Sequence, residues 1–353
     1  MSKPKPKPKS PKYQAGSQTQ RPVLEPQLVF CGTSRSVENA RVALSTAKTI
    51  FMDCGGFNLG VRGGTLSILS LGVIPLNTIQ YLHIYLIDVA HLSLVDLQPI
   101  YDLLASSYAT KVVWDGRMDY SALYHEYGVR MQNVVDLQLV DILSRESRDT
   151  PAEHLKRFNN YVHPELLRST DGKKRYAKLH RLNSLVSAVR EHKPIGHRQF
   201  EKVKAGRRPR NSTSPLSEAY IKYSAVDIEM IAALFLNFIS NMYIPLLAGF
   251  SFKEKSARYV AFWADRQPLT TETNHYARNA FLPLEAVDDS SGEQKHKCEK
   301  CKRFLTKASF PLLEFALPDT QFSCAVCIAV AENSSYWEAA RARPKRGRST
   351  SKS

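Results

Sequence analysis

Three aspartates and one tyrosine have residue types and spacings from which a metal-dependent reaction can be built. Asp53 ends an apolar run typical of a buried strand, and Asp119 follows another such run. Tyr223 and Asp227 stand four residues apart in a long helical pattern, so both project from one face of that helix. Carboxylates that converge from strand ends and a facing helix bind divalent ions such as Mg²⁺ or Mn²⁺, which activate water for phosphodiester hydrolysis. Ordinary structural acids are the alternative interpretation.

Four cysteines form two Cys-x-x-Cys pairs with 22 residues between them. They are Cys298, Cys301, Cys324 and Cys327. Two pairs at this spacing can close a tetrahedral thiolate site for Zn²⁺, and four protein ligands leave no open position, so the zinc is expected to be structural. In an intracellular protein this spacing favours metal over disulfides, with unrelated thiol pairs or a redox dithiol as alternatives. We expect chelation to unfold this module and to leave the rest of the chain largely folded.

The net charge of +16 is concentrated in three segments. Residues 1–21, 190–210 and 341–353 each carry +6, so the remaining residues are together nearly neutral. Flexible basic segments bind polyanions by releasing counterions, without reading sequence. Solubilising tails, or a nuclear import signal in the last segment, are alternatives. We expect a nucleic-acid partner, single-stranded RNA or DNA, with contacts from the basic cluster Lys204, Arg207, Arg208 and Arg210.

The composition indicates a folded protein, because 43% of the 353 residues are hydrophobic and 23% are charged. The sequence shows no apolar run of membrane-spanning length and no secretory signal at its start, so no membrane partner is expected. The expected location is intracellular, either nuclear or nucleocytoplasmic.

Apolar runs predict five strands and three principal helices. The strands are predicted at Thr49–Asp53, Thr65–Ile74, Tyr81–Asp88, Lys111–Trp114 and Asn133–Leu137, and the helices at Leu94–Ser106, Tyr120–Tyr127 and Leu216–Asn241. Three antiparallel strands followed by strands that alternate with helices define an α/β class with a mixed sheet and flanking helices. A ribonuclease H-like sheet has this order.

Changes of composition along the chain predict its domain boundaries. Within the α/β domain, residues 145–215 read as a polar insertion with some helix. We expect a disordered basic tail at 1–26, the α/β domain at 27–250, a connector at 251–293, a zinc-binding module at 294–332 and a basic tail at 333–353.

Several motifs follow one another in a fixed order between Leu28 and Met242. They are Asp53-Cys54-Gly55-Gly56, Gly64–Leu71, Tyr85–Val89, Asp119 with Leu123–Val129, Val134–Gln138, and Tyr223-x-x-x-Asp227. In this order they resemble the RNase D-like 3′–5′ exonuclease family, of the DEDD type with a tyrosine in its last motif. The resemblance implies a ribonuclease H-like fold, hydrolysis assisted by Mg²⁺ or Mn²⁺, and Asp53, Asp119, Tyr223 and Asp227 as catalytic residues. The cysteine pairs resemble LIM-like or treble-clef zinc modules, whose surfaces contact proteins or nucleic acids.

One position departs from the family pattern. The first family motif is Asp-x-Glu, whose glutamate ligates a metal and helps to place the attacking water, whereas this chain has Gly55. We therefore favour a nucleic-acid-binding domain with impaired hydrolysis, with an active exonuclease and a protein-interaction scaffold as alternatives. Positions 53 and 55 of a strand share one face, so Gly55→Glu is expected to raise activity about tenfold or more. Asp88 and Asp136 are expected to cap or orient strands rather than bind metal.

Overall fold

The computed structural model describes most of the chain between residues 24 and 342. The described residues are 24–75, 81–177, 179–194, 216–244, 249–270, 281–282, 295–302, 304–310 and 323–342. The basic cluster Lys204, Arg207, Arg208 and Arg210, and most of both predicted tails, lie outside the described residues. The nucleic-acid contacts expected from them stay predictions.

A six-stranded mixed sheet forms the centre of the fold. Its strands are β1 (Glu25–Cys31), β2 (Thr49–Phe57), β3 (Thr65–Val73), β4 (Tyr81–Asp88), β5 (Thr110–Val113) and β6 (Val134–Asp136). Their order across the sheet is β1-β4-β3-β2-β5-β6. The strands β2, β3 and β4 form an antiparallel meander, β1 runs parallel to β4, and β5 and β6 continue the sheet in parallel beyond β2. The predicted α/β class with a mixed sheet is confirmed.

The sequence did not predict β1 or the helix after it, α1 (Ser34–Ser45). The strand β1 begins at Glu25, inside the predicted tail 1–26, and it is an edge strand paired with β4. Most of its residues are exposed, so it lacks the alternation that marks a half-buried strand. The helix begins at a capping box in which Thr33 and Ser36 bond to each other's backbone N–H groups.

Helices cover one face of the sheet with a layer made of α1, α2 (Leu94–Ala105) and α3 (Arg117–Tyr127). These helices pack on a buried cluster to which β2 contributes Ile50, Met52 and Cys54. Every second residue of β2 therefore points to this side, and the residues between them point to the opposite face.

Five helices form the segment that follows the sheet. They are α4 (Leu137–Arg148), α5 (Pro151–Lys156), α6 (Pro164–Arg168), α7 (Thr170–Tyr176) and α8 (Leu185–His192). Arg157 donates hydrogen bonds to Asp149 and Glu191 at 2.5–2.9 Å, and Arg148 donates to Glu191 at 2.8 Å. These ion pairs tie α8 to the ends of α4 and α5, so the described part of the predicted insertion is an ordered helical layer.

The long helix α9 (Glu218–Ser240) covers the other face of the sheet and packs against β2, β3 and β4. Its N-cap is Ser217, whose hydroxyl accepts a hydrogen bond from the backbone N–H of Tyr220 at 3.3 Å. By length and composition alone this helix could also cross a membrane, which the sequence reading did not anticipate. Half of its most apolar window is buried inside the fold.

The helix α10 (Gly249–Val260) packs against β6 and α3. Its Tyr259 hydroxyl donates to the side-chain oxygen of Gln138 at 2.5 Å. The first residues of the predicted connector 251–293 are therefore packed onto the α/β domain.

The C-terminal part consists of a two-stranded hairpin and a helix. The hairpin pairs β9 (Lys295–Lys297) with β10 (Phe304–Thr306), and the helix α11 (Ala325–Ala342) follows. This helix continues past the boundary predicted at residue 332, into the predicted tail 333–353. A second short ladder pairs β7 (His180–Arg181) with β8 (Phe281–Leu282).

The C-terminal part shares its core with the helices of the insertion. Asn333 of α11 accepts a hydrogen bond from His163 N at 2.9 Å and donates one to the Tyr161 carbonyl at 2.7 Å. The Tyr176 hydroxyl donates to the Ala329 carbonyl at 3.2 Å. One buried cluster spans the two parts and includes Phe158, Tyr176, Leu179, Cys298, Leu305 and Val326.

Candidate active site and cysteine cluster

The residues of β2 that face α9 define one wall of the candidate active site. The rings of Phe51 and Phe235 meet edge to face with their centroids 5.5 Å apart. Gly55 lies against the side chain of Tyr220. Side chains of a strand alternate between its two faces, so Asp53, between these two positions, faces the same helix.

The opposite wall is α9, which runs antiparallel to β2. Tyr220 lies opposite Gly55, and Phe235, further along the helix, lies opposite Phe51, which comes earlier in the strand. Tyr223 and Asp227 lie between these contacts along the helix, as Asp53 does along the strand. Asp227 is buried and Asp53 is half-buried. The structure therefore brings Asp53 and the Tyr223–Asp227 pair onto facing elements between the same two contacts.

Asp119 lies in the first turn of α3, beside the backbone of β2. Its Oδ1 atom accepts a hydrogen bond from Cys54 N at 2.7 Å. The strand β5 pairs with β2 only as far as Phe51 and Val112, so the edge of β2 beyond them is open to α3. Burial raises the pKa of Asp119 to about 6, because the charged carboxylate loses its hydration. Asp119 is thus held one residue from Asp53, with one oxygen bonded to the strand.

Asp136 fixes the turn that leads into α3. Its carboxylate accepts hydrogen bonds from Asp115 N at 3.1 Å, Gly116 N at 2.9 Å and Gln138 N at 2.9 Å. Burial, and then the nearby Asp115 charge, raise the pKa of Asp136 to about 7. Asp115 adopts a left-handed backbone conformation and pairs with Arg117 at 2.5 Å. Asp136 was predicted to cap or orient a strand, and in the structure it caps α4 and holds the turn that follows β5.

The three aspartates do not form a ready-made metal cage. Within the described part of the chain, two groups of three or more His, Cys, Asp or Glu residues have all their ligand atoms within 4.8 Å of one another. They are the four cysteines, and Asp141 with Glu191 and His192. Asp53, Asp119 and Asp227 do not form such a group. The three acids come from β2, α3 and α9, and residue 55 has no side chain to add a fourth ligand to the two-ion centre that the family resemblance implies.

The group around Asp141 is neutralised by basic side chains. Arg145 donates to Asp141 at 2.5 Å, and His192 Nε2 lies 2.7 Å from its other oxygen. Although burial opposes it, the His192 hydrogen bond and the Arg145 charge keep the pKa of Asp141 below its usual range. Since Arg148 also bonds to Glu191, the charges are already balanced, and the group is a structural ion-pair cluster.

The position of the missing glutamate is filled from α9. A Cβ atom at Gly55 would lie 2.4 Å from the Tyr220 hydroxyl oxygen and 2.7 Å from Ile68 Cγ2. The neighbouring position offers no substitute, because a Cβ at Gly56 would lie 1.9 Å from the Thr65 carbonyl oxygen. The expectation that Gly55→Glu alone would restore the site is therefore incompatible with this packing.

The four cysteines form a compact cluster whose sulfur atoms all lie within 4.8 Å of one another. Sulfurs bound to a tetrahedral Zn²⁺ would be about 3.8 Å apart. The first pair lies in the turn between β9 and β10, and Cys324 N, at the start of α11, donates to Cys298 Sγ at 3.3 Å. The arrangement fits the predicted zinc module.

The family comparison gives one match. Residues 72–242 match the family model described as 3′–5′ exonuclease. The matched segment contains Asp119, Tyr223 and Asp227, and it begins after the strand that carries Asp53 and Gly55. No curated protein sequence matches the chain significantly.

Solved structures of exonucleases resemble this chain at low sequence identity. RNase D from Trypanosoma brucei in complex with RNA U12 is 18% identical, with a TM-score of 0.50 over 80% of this chain and 92% of that chain. The catalytic core of RRP6 from Trypanosoma brucei is 13% identical, with a TM-score of 0.45 over 74% and 60% of the two chains. RNase D from Escherichia coli is 14% identical, with a TM-score of 0.39 over 71% and 53%.

The mixed sheet with its helical layers has a ribonuclease H-like fold, and residues 72–242 match the 3′–5′ exonuclease family model. More narrowly, the fold is similar to that of RNase D from Trypanosoma brucei, and a four-cysteine cluster follows the matched segment. The resemblance predicted from the motifs is confirmed. Sequence reasoning missed the site residue Tyr220, which it included only as part of the predicted helix Leu216–Asn241. The available signal was an aromatic residue one helical turn before Tyr223, in a chain with glycine at the glutamate position.

Proposed function

We propose that the exonuclease domain binds single-stranded nucleic acid, preferably RNA, and that its hydrolytic step is impaired. The observation that carries this proposal is the packing at Gly55, where the family's glutamate is missing and the Tyr220 hydroxyl takes up the space. A ligand set that lacks one carboxylate lacks a coordination position and a negative charge. The affinity of a hard divalent ion depends on both.

Binding does not require the missing ligand. Most of the affinity for a polynucleotide comes from contacts between basic side chains and phosphates. The chain supplies these with a net charge of +16, concentrated in three segments. RNA is the preferred candidate because RNase D from Trypanosoma brucei, which shares the fold, was solved in complex with RNA U12.

The retained acids favour a second candidate function, an active metal-dependent 3′–5′ exonuclease. Asp53, Asp119, Tyr223 and Asp227 are all present in family order. In such an enzyme a water molecule would have to replace the glutamate, without its charge. The hydrogen bond from Cys54 N occupies one oxygen of Asp119, which weighs against this candidate.

The four cysteines are proposed to hold one structural Zn²⁺, supported by their spacing and by the closeness of their sulfur atoms. A protein partner could dock on the adjoining surface of α11, where Tyr336 and Trp337 are both more than a third exposed. The basic residues of 341–353 favour a nuclear or nucleocytoplasmic location. Imaging of the tagged chain, with and without alanines at Arg343, Lys345 and Arg346, tests the location.

The main experiment measures binding and cleavage on the same strands. End-labelled single-stranded RNA and DNA of one sequence are incubated with Mg²⁺ or Mn²⁺, and binding is followed in parallel by fluorescence anisotropy. We expect RNA to bind at low salt and to be cleaved no faster than with Asp227→Ala, the control for contaminating nuclease.

Two outcomes would overturn this proposal. Brisk cleavage that Asp227→Ala abolishes would establish the active exonuclease. Failure to bind either strand at low salt would leave the third alternative, a protein-interaction scaffold.

A further inference from the structure

Tyr220 is firmly held where it meets Gly55. Its side chain is buried, and its backbone lies in the capped first turn of α9. The backbone N–H donates to the Ser217 hydroxyl at 3.3 Å, and the carbonyl accepts from the Ser224 hydroxyl at 3.0 Å. Because α9 packs on three strands, these contacts hold the backbone of Tyr220 against the sheet, and its ring belongs to the buried cluster there.

The hydroxyl group of Tyr220 lies inside the volume that any side chain at position 55 would need. A Cβ atom there would lie 2.4 Å from the hydroxyl oxygen and 3.3 Å from the ring carbon that bears it. Non-bonded carbon atoms make their best contacts at about 3.5–4.0 Å. Tyr220 can therefore adopt this position only because residue 55 has no side chain.

We propose that Gly55 and Tyr220 are a matched pair, in which the phenol occupies the missing ligand's position and excludes a divalent ion from that side of Asp53. This rests on the proposed function and adds the residue that enforces it. A phenol is ordinarily uncharged at neutral pH, so it fills the volume of a glutamate without supplying the negative charge that a divalent ion requires. The space of the glutamate side chain is then filled by the Tyr220 side chain, so it is not a gap that water could fill.

The helix itself provides a matched control. Phe235 is another aromatic residue of α9 that packs on β2, but it meets Phe51 and is not among the atoms nearest to Gly55. Removing the Phe235 ring loosens the contact between helix and strand but leaves the Tyr220 hydroxyl in place.

The first experiment measures Mn²⁺ affinity by electron paramagnetic resonance titration of the full-length, zinc-loaded protein without nucleic acid. We expect Gly55→Glu alone to bind Mn²⁺ about as weakly as the wild type. The double variant Gly55→Glu/Tyr220→Ala should bind at least about tenfold more tightly. The control Gly55→Glu/Phe235→Ala should behave like Gly55→Glu.

A second experiment tests the packing through unfolding temperatures. Gly55→Ala should lower the unfolding midpoint by several degrees, because its methyl group meets the Tyr220 hydroxyl. In a Tyr220→Phe background, which removes only that oxygen, the loss should be clearly smaller.

Three outcomes of the Mn²⁺ titration would overturn the matched pair: tight binding by Gly55→Glu alone, equal rescue by Phe235→Ala, or a folded double variant that gains no affinity. If the double variant does not fold, the unfolding temperatures decide, and equal losses in the two backgrounds would overturn it. Neither experiment uses RNA, so a wild-type chain that degrades RNA would refute impaired hydrolysis separately.

Discussion

The cysteine cluster and the carboxylate cleft, which is formed by Asp53, Asp119 and Asp227, are both candidate metal sites, but only the first has all its ligand atoms close together. The four cysteines lie in two short segments, 298–301 and 324–327, and their sulfur atoms are already close together. The carboxylates come from β2, α3 and α9. One position of their family pattern is Gly55, on which Tyr220 packs.

The difference follows from how each set is positioned. A Cys-x-x-Cys pair is shaped by one turn of backbone, so local sequence determines most of its geometry. The cleft requires three elements far apart in the sequence to dock correctly. Packing from one of them can remove a ligand position while the core stays intact, so a domain can lose part of its chemistry and retain its fold.

Breaking the cysteine cluster should have the largest effect. Cys324→Ser, or chelation, should unfold the hairpin and α11, because zinc binding supplies on the order of 10 kcal/mol of folding free energy in small modules. The damage should spread to α5, α6 and α7, which share the same core, so we no longer expect the rest of the chain to be unaffected. Hydrogen exchange of the backbone amides, before and after metal removal, measures the extent.

Elemental analysis supplies the control for this prediction. Wild-type protein should contain one zinc per chain, and Cys31→Ser, a buried cysteine outside the cluster, should retain it. Zinc-free wild-type protein with protected α11 amides would contradict a structural metal.

The stability of the turn that leads into α3 and positions Asp119 should depend on pH. The stability of the cysteine cluster should depend instead on its metal. The folded pKa of Asp136, about 7, is higher than the unfolded value, so this group's contribution to stability falls as pH rises from about 4 to 7. Relative to Asp136→Asn, the wild type should lose up to about 4 kcal/mol of unfolding free energy over that range. Urea unfolding of both proteins at several pH values measures this. A difference that stays constant with pH would show that Asp136 does not titrate in this range.

Gly55→Glu should destabilise the fold less than loss of the metal destabilises the cysteine cluster. We expect it to lower the unfolding free energy by about 1–3 kcal/mol through overpacking against Tyr220 and Ile68. No gain in cleavage of end-labelled RNA should accompany the loss. A variant that is both stable and at least about tenfold more active than the wild type would mean that the cleft opens easily at this point.

Removal of basic side chains should have the smallest effect. The resulting change in the salt dependence of binding indicates which basic segment contacts the polynucleotide. Neutralising Lys204, Arg207, Arg208 and Arg210 should flatten the salt dependence of RNA binding by about one unit per lost phosphate contact. The matched change replaces Arg341, Arg343, Lys345 and Arg346, beyond the cysteine cluster. If only the second set alters the slope, the RNA contacts the basic residues of the C-terminal segment rather than those at 204–210.

The central strands could be predicted because continuous apolar runs mark them. The strand predicted at Tyr81–Asp88 coincides with β4, and β3 ends one residue before its predicted end. The edge strand β1 was missed because its exposed residues, including Leu28 and Phe30, do not alternate with polar ones. The helix α10 lies in a stretch without clear periodicity, and its place is set by packing against β6 and α3.

Residue types and their order along the site could be read from the sequence, but contacts between distant elements could not. Tyr220 lies in the predicted helix Leu216–Asn241, yet spacing along that helix does not say which strand residue it meets. That depends on how α9 docks on the sheet. The ion pairs of Asp141 with His192, which join α4 to α8, arise in the same way.

A chain shortened to end before Cys298 would expose to water the apolar surface of the insertion helices that the C-terminal part covers. Phe158, Tyr176 and Leu179 are completely buried in the intact fold, and the Tyr176 hydroxyl would lose its acceptor on α11. Contiguous apolar surface of this kind promotes self-association. The smallest soluble fragment should therefore extend from β1 through α11, and one cut at the end of the exonuclease match should aggregate.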